Sequence, residues 1–211
     1  MGYEAAKRAI DVAFAAVLLA LLAPVLIAIA AAVLVTMGWP VIFAQERTGL
    51  GGKTFTLYKF RTMRPTDARG TAAVASDAER LTRFGRFLRK TSLDELPELW
   101  NILKGDMSFV GPRPLLPEYM SRYTPQQARR HEVRPGLTGW AQVHGRNAVP
   151  WPERFAMDVW YVDNRSLALD AKIVLMTAAA VLRGGGVSAD GCATMTPFEG
   201  EAPCEPEGTE C

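Results

Sequence analysis

The longest uninterrupted pattern in the chain is apolar. From Val12 to Val35 it runs for 24 residues without a charge, about 36 Å of α-helix at the usual rise per residue, enough to cross the hydrocarbon core of a bilayer. Pro24 falls in the middle, where it offers no N–H to the carbonyl of Ala20 and its ring presses on the preceding turn. A kink or break near Pro24 is expected. A cleaved signal peptide is a weaker reading, because its apolar stretch is usually only about 7–15 residues. A spanning helix with a tolerated proline stays open. The flanks favour a third reading: Lys7 and Arg8 precede the run, and Arg47, Lys53, Lys59, Arg61 and Arg64 follow it. Cytoplasmic flanks are the ones rich in Lys and Arg. Both ends therefore read as cytoplasmic, and the segment as a re-entrant hairpin that turns near Pro24.

Beyond Trp39-Pro40 the period changes. Val41 to Ala44 and Thr54 to Phe60 read as two short strands around Thr48-Gly-Leu-Gly-Gly-Lys53, a hairpin. That turn is no phosphate-binding P-loop, since Arg47 stands where its first glycine belongs and a strand follows. Residues Pro65 to Ser76 are small and polar, a loop. Glu79 to Lys90 places Leu81, Phe84 and Leu88 at helical spacing with Arg80, Arg83, Arg86 and Lys90 mostly on other faces. This is a basic amphipathic helix suited to an anionic membrane surface or to ordinary packing on a core. Leu96, Leu99, Trp100 and Leu103 mark a helix ended by Lys104-Gly105. Loops rich in Pro and Gly follow, Gly111-Pro-Arg-Pro and Arg134-Pro-Gly-Leu-Thr-Gly, then a helix opening at Trp151-Pro152 and another from Leu167 to Arg183. The pattern is that of an α-rich α/β protein with little true sheet. Residues 1–38 form the membrane anchor, 39–188 a compact domain with amphipathic helices, and 189–211 an acidic tail.

Charge sharpens the division. Residues 1–189 hold all 24 basic residues and 16 of the 22 acidic ones, a net charge of +8, although the whole chain carries only +2. A basic body suits an anionic partner: a phosphorylated substrate, anionic lipid or nucleic acid. Nucleic acid is disfavoured because the basic residues accompany a bilayer-length apolar run and show no recognisable binding module. The three cysteines, Cys192, Cys204 and Cys211, all lie in the tail and cannot staple a core, which points to a reducing compartment. His131 and His144 lack metal-ligand spacing and receive no role.

The stretch Arg89-Lys-Thr-Ser-Leu-Asp-Glu-Leu-Pro-Glu-Leu-Trp100 concentrates the candidate chemistry. It has a bland explanation. Ser92 with Glu95 makes a capping box, or Asp94 itself caps, and acidic residues suit a first helical turn. Its chemical explanation is that a carboxylate, already ionised at neutral pH, attacks phosphorus without a general base, provided cations neutralise the phosphate oxygens. Arg89 and Arg113 are candidates for that grip, because guanidinium binds phosphate oxygens bidentately.

Thr91 to Pro114 closely resembles the core signature of the bacterial sugar transferases, the monotopic polyprenyl-phosphate phosphoglycosyl transferases. Further matches are Lys7-Arg8 with Asp11, Gln45-Glu-Arg-Thr-Gly49, Tyr58-Lys-Phe-Arg-Thr-Met63, Arg134 to Gln142 and Asp158 to Asn164, so the resemblance runs from about residue 7 to residue 183. It implies that Asp94 is a covalent nucleophile, that Glu95 with Asp94 helps to hold Mg²⁺, and that Lys59, Arg146 and Asp158 lie near the substrate. It further implies a re-entrant helix broken at a Ser-Pro pair, represented here by Ala23-Pro24. Arg165 and Ala168 stand where the family commonly has tryptophans. Ala193 to Gly200 resembles endings of short members that act on N-acetylated, often 6-deoxy, sugars.

The function the resemblance implies is transfer of a sugar 1-phosphate from a UDP-sugar to undecaprenyl phosphate at the cytoplasmic face of the bacterial inner membrane. Anionic lipids, downstream glycosyltransferases and a second copy of the chain are its expected partners. The rival is a catalytically inactive membrane-bound assembly protein of a polysaccharide system.

Overall fold

The computed structural model describes residues 2–64, 80–145, 149–182 and 197–200. The expected loop at Pro65–Ser76, Arg146 and the three cysteines lie outside the described residues.

The apolar run folds as α1, Tyr3–Met37, a single helix of 35 residues. The expected break at Pro24 is corrected: the helix continues through it. Proline removes one backbone hydrogen bond and crowds one turn, while packing secures the turns on both sides. Ala15 is buried with Leu57, Leu99, Ile102 and Met107. Beyond the proline, Ile29 and Val33 are buried with Phe60 and Leu88.

Both ends of α1 are tied to the same globular body. Near the N-terminus Lys7 Nζ lies 2.8 Å from Asp170, Tyr3 donates to the same carboxylate at 3.0 Å, and Arg8 donates to the carbonyls of Ile102 and Leu103 at 2.7 and 3.0 Å. Asp11 is buried and accepts from the Phe109 N–H at 3.3 Å. At the other end the Arg61 guanidinium donates to the carbonyls of Met37, Gly38 and Trp39. Lys7 and Arg8 are therefore structural pins as well as flanking charges.

Strands β1 (Ile42–Thr48) and β2 (Thr54–Phe60) pair antiparallel, in register from Ile42 with Phe60 to Thr48 with Thr54. β1 reaches four residues beyond the expected Ala44 because Gln45 to Thr48 find partners on β2. Helix α2 spans Arg83–Thr91 and so starts later than Glu79. The Thr82 hydroxyl accepts from the Gly85 N–H at 2.9 Å and caps it, while Leu81 bridges to Met63 instead of joining the helix.

Ser92 ends α2 in the left-handed region (φ 56°), Leu93–Glu95 form one 3₁₀ turn, and α3 starts only at Glu98 and runs to Lys104. Neither expected cap exists, since Ser92 and Pro97 make no side-chain capping bond. The dyad thus sits on a connector between two short helices. Asn101 locks α3 to the hairpin: its amide donates to the Thr56 carbonyl at 2.7 Å and its oxygen accepts from the Tyr58 N–H at 3.1 Å.

The two Pro- and Gly-rich loops hold a pair of strands that the pattern did not announce. β3 (Ser108–Val110) lies parallel to β4 (Gly136–Thr138), with Ser108 opposite Gly136 and Val110 opposite Thr138. At three residues each they are too short to display an alternation. Between them in sequence lies α4 (Pro125–Ala128), and after them α5 (Trp140–Val143), α6 (Trp151–Asn164) and α7 (Leu167–Leu182). Phe198, from the described end of the tail, is buried among Tyr119, Tyr123, Trp151 and Phe155.

One glycine matters for the site. A Cβ on Gly85 would sit 1.9 Å from the Thr62 carbonyl oxygen, so α2 packs directly on the backbone of the strand exit. Gly85→Ala is expected to destabilise the protein by about 1–3 kcal/mol through this overlap. A thermal melt of the detergent-extracted variant checks it, and an unchanged midpoint would show that α2 can retreat freely.

Candidate active site

Four elements converge on the 3₁₀ turn. Lys59 comes from the end of β2, Glu98 from the first residue of α3, Arg113 from the loop after β3, and Arg89 from the last turn of α2. Lys59 Nζ lies 2.6 Å from Glu95 Oε1 and 3.0 Å from Glu98 Oε1. Arg113 reaches the same Glu95 oxygen at 3.1 Å. Arg89 Nε donates to the Thr62 hydroxyl at 3.0 Å, which orients its guanidinium beside Asp94. Of the residues singled out from sequence, Lys59, Arg89, Asp94, Glu95 and Arg113 are thus brought together.

Their electrostatics are unequal. Burial pushes the Asp94 carboxyl up, helped by neighbouring Glu95, while Lys59, Arg89 and Arg113 pull it back. Glu95 is also raised by burial, but Lys59 and Arg113 outweigh that and hold it at about 2. Glu98 moves the opposite way, to about 7, because burial and the charge of Glu95 exceed what Lys59 supplies. Burial lowers the Lys59 ammonium, yet the two carboxylates outweigh it and raise it. The cluster therefore holds an ionised Glu95 and a charged Lys59, with Glu98 near its midpoint at neutral pH.

Asp158 stands behind this cluster. It is 2 % exposed and accepts two bonds from Arg130, at 3.1 and 2.8 Å, and Arg130 in turn donates to the main-chain carbonyl of Arg113 at 2.7 Å. Its carboxylate is spent on fixing the Arg113 loop.

Two residues at the site were not singled out from sequence. Glu98 follows Glu95 by three positions in the same motif and could have been suspected from that spacing. Arg154 is buried on α6, stacks over Trp151 at 5.2 Å and reaches the cleft beside Glu95 and Arg113. Burial and the nearby Arg113 push its guanidinium down to about 10. Its only signal was its place one turn before Asp158.

The cluster opens into a cleft of about 380 Å³ between α1 and α7. Glu95, Arg113 and Arg154 line it together with Ser92, Thr138, Gln142 and Thr177, and apolar side chains supply the rest of the lining. Such a cleft offers both cations for an anionic group and apolar surface for a hydrocarbon.

Comparison with known proteins accords with this geometry. The profile of the bacterial sugar transferases matches residues 2–184. The chain is 51 % identical over 195 residues to the uncharacterized sugar transferase EpsL of Bacillus subtilis, covering 92 % of this chain and 96 % of that one. It is 43 % identical over 191 residues to the UDP-glucose:undecaprenyl-phosphate glucose-1-phosphate transferase of Xanthomonas campestris, covering 85 % of this chain but 39 % of that protein. It is 40 % identical over 191 residues to the UDP-N-acetylgalactosamine-undecaprenyl-phosphate N-acetylgalactosaminephosphotransferase of Aeromonas hydrophila, covering 87 % and 45 %. The chain belongs to the bacterial sugar transferase family. It is a transferase of that family, equivalent in extent to the small Bacillus protein and to under half of the two larger ones.

Lys59 holds two carboxylates at once, so its loss exposes both. Lys59→Met is expected to lower turnover by about 100-fold or more, the scale of a lost preorganised charge. Steady-state assay of the purified variant, with its elution volume as the folding control, measures this; near-normal turnover would remove Lys59 from the machinery.

Proposed function

We propose that the chain transfers a sugar 1-phosphate from a UDP-sugar to undecaprenyl phosphate through a covalent intermediate on Asp94. The observation that carries this reading is the buried Asp94 carboxylate under the influence of Lys59, Arg89 and Arg113, next in sequence to Glu95, which with Arg113 lines a mostly apolar cleft. An Asp94 oxygen bonds to the sugar-bearing phosphorus while the bridging P–O bond breaks and its electron pair leaves with UMP. An oxygen of the polyprenyl phosphate then bonds to the same phosphorus, the aspartyl oxygen–phosphorus bond breaks, and the carboxylate is restored. The sugar's anomeric bond survives both steps. Arg89 and Arg113 offset the charge of the diphosphate, which an anionic nucleophile cannot otherwise approach. The Asp158–Arg130 pair holds the Arg113 main chain in place for that task.

Magnesium fits this donor set on chemical grounds. Among the described residues no group of three or more His, Cys, Asp and Glu side chains could cage a metal ion, but Mg²⁺ usually takes only one or two carboxylates and completes its octahedron with phosphate oxygens and water. Asp94 and Glu95 are the hard oxygen donors that would hold it. When bound, it supplies further charge neutralisation at the diphosphate. The donor sugar differs among the relatives, glucose in one and N-acetylgalactosamine in another, and the uridine nucleotide is common to both names.

We also propose that the anchor, residues 1–38, keeps both of its ends at the cytoplasmic face of the inner membrane, lying in that leaflet as one unbroken helix below a catalytic domain of residues 39–188 and an acidic tail of 189–211. Support comes from the two pinned ends of α1. A helix of 35 residues is about 52 Å long, yet Lys7 and Arg8 at one end and the Met37 and Gly38 carbonyls at the other bond to the same body. A fully spanning helix would carry its ends to opposite faces, and the pins would have to let go. The outward side chains, with Leu21 and Ile27 each 69 % exposed and Trp39 81 % exposed, supply the surface that lipid would cover.

Two experiments test these readings. Asp94→Asn should lower UMP release by more than about a thousand-fold while the protein still partitions into membranes. Intact mass spectrometry of the wild type with a UDP-sugar panel should show a phosphosugar adduct, and retained activity in the variant would dismiss the nucleophile. In a cysteine-free background, single cysteines at positions 2 and 50 should both resist a membrane-impermeant maleimide in intact cells; labelling of only one would dismiss the one-sided placement.

A further inference from the structure

We infer that Glu98 is a positioning residue for Lys59: it holds the ammonium at the site by itself, which frees Glu95 to turn from Lys59 to a ligand in the cleft. This deepens the proposed transfer and rests on that reading for the task the ammonium performs.

Three observations carry it. The first is the unequal exposure of the two carboxylates. Lys59 Nζ lies 2.6 Å from Glu95 and 3.0 Å from Glu98, yet the Glu98 side chain is 4 % exposed and that of Glu95 is 20 % exposed. Glu95 also lines the cleft. A ligand entering there reaches Glu95 first.

The second is which carboxylate is tied to the strand that carries the lysine. Glu98 opens α3, and Asn101, one turn further on, is fully buried. The Asn101 amide donates to the Thr56 carbonyl at 2.7 Å and its oxygen accepts from the Tyr58 N–H at 3.1 Å. β2 and α3 are thereby bolted together on either side of the lysine's neighbour, and the Lys59–Glu98 pair keeps its spacing without help from the connector. Glu95 instead rides on one 3₁₀ turn, closed by backbone bonds of 3.2 Å from Glu95 to Ser92 and 3.4 Å from Leu96 to Leu93. Such a turn has poorer hydrogen-bond geometry than an α-helix, so Glu95 is the more adjustable of the two.

The third is that an exchange strands no charge. Arg113 donates to the same Glu95 oxygen at 3.1 Å. A Glu95 that lets go of Lys59 keeps a cation, and Lys59 keeps Glu98. Both halves of the exchange matter, because a charge left in the interior without its partner is strongly destabilising.

Acetic anhydride reads the ammonium directly, with no donor, metal or turnover. An amine that loses its counter-charges deprotonates more readily and is then acylated. In purified full-length protein in nanodiscs, Lys59 of Glu95→Gln should be acetylated within about three-fold of the wild-type rate. Lys59 of the Glu95→Gln/Glu98→Gln protein should react at least about ten-fold faster, with the exposed Lys53 and Lys90 as internal references. Acceleration beyond three-fold in the single variant, or none in the double one, would overturn the inference. Turnover supplies a second arm. Glu98→Gln, which keeps the side-chain shape, is expected to lower kcat for UMP release at least about ten-fold while the donor KM stays within about two-fold. In a Lys59→Met background the same substitution should change kcat by less than about two-fold, since a residue that acts through Lys59 has nothing left to position. Equal losses in both backgrounds would mean that Glu98 acts independently of Lys59, and the inference fails. A wild type that releases UMP from none of UDP-glucose, UDP-galactose and UDP-N-acetylgalactosamine sinks the proposed transfer instead, and the acetylation rates still decide whether Glu98 holds Lys59.

Discussion

The structure depends on one half-buried ammonium shared by two carboxylates. Lys59 leaves the end of β2 and meets Glu95 and Glu98 on the far side of the connector between α2 and α3. Taking such charges out of water is costly, and the cost is recovered only if geometry is close and partners are complete. That requirement fixes the hairpin, the connector and α3 relative to one another. It also sets the charge of the site. Lys59 and Arg113 hold Glu95 ionised, while burial and the charge of Glu95 raise Glu98.

The long apolar helix is built into this arrangement and is more than a tether. Its first half packs on α3 through Ala15, its second on β2 and α2 through Ile29 and Val33, and Leu96 of the connector touches both clusters. Any shift of the helix in its lipid is therefore felt two residues from Asp94. The proposed catalytic step needs a soluble nucleotide and a lipid phosphate at one height, and a helix packed directly against the connector sets that height mechanically.

Much of this was legible in the chain itself. The 24-residue apolar run, the hairpin with its glycine turn, the α3 periodicity ended by Gly105 and the last helix of Leu167–Leu182 are local signals, each carried by adjacent residues. The family resemblance singled out Lys59, Asp94 and Glu95, and guanidinium chemistry singled out Arg89 and Arg113; the structure brings these five side chains together. What failed was equally local in origin. Pro24 reads as a break and Ser92-x-x-Glu95 as a capping box because neighbouring residues permit both. Packing on either side of Pro24 kept the helix whole, and the left-handed turn at Ser92 put the dyad on a 3₁₀ connector.

What the sequence determined by itself is the inventory: an apolar helix, a basic body, a carboxylate pair and its cations. Tertiary structure alone decided the pairings across long separations, because charge and hydrogen bonding act through space and leave no periodic trace in the chain. Arg130 bonded to Asp158 and to the Arg113 carbonyl, and Lys7 to Asp170, are contacts between residues whose spacing carries no helical or strand period. The same holds for the cleft, whose walls come from the two ends of the chain and exist only once both are packed on α3 and β3.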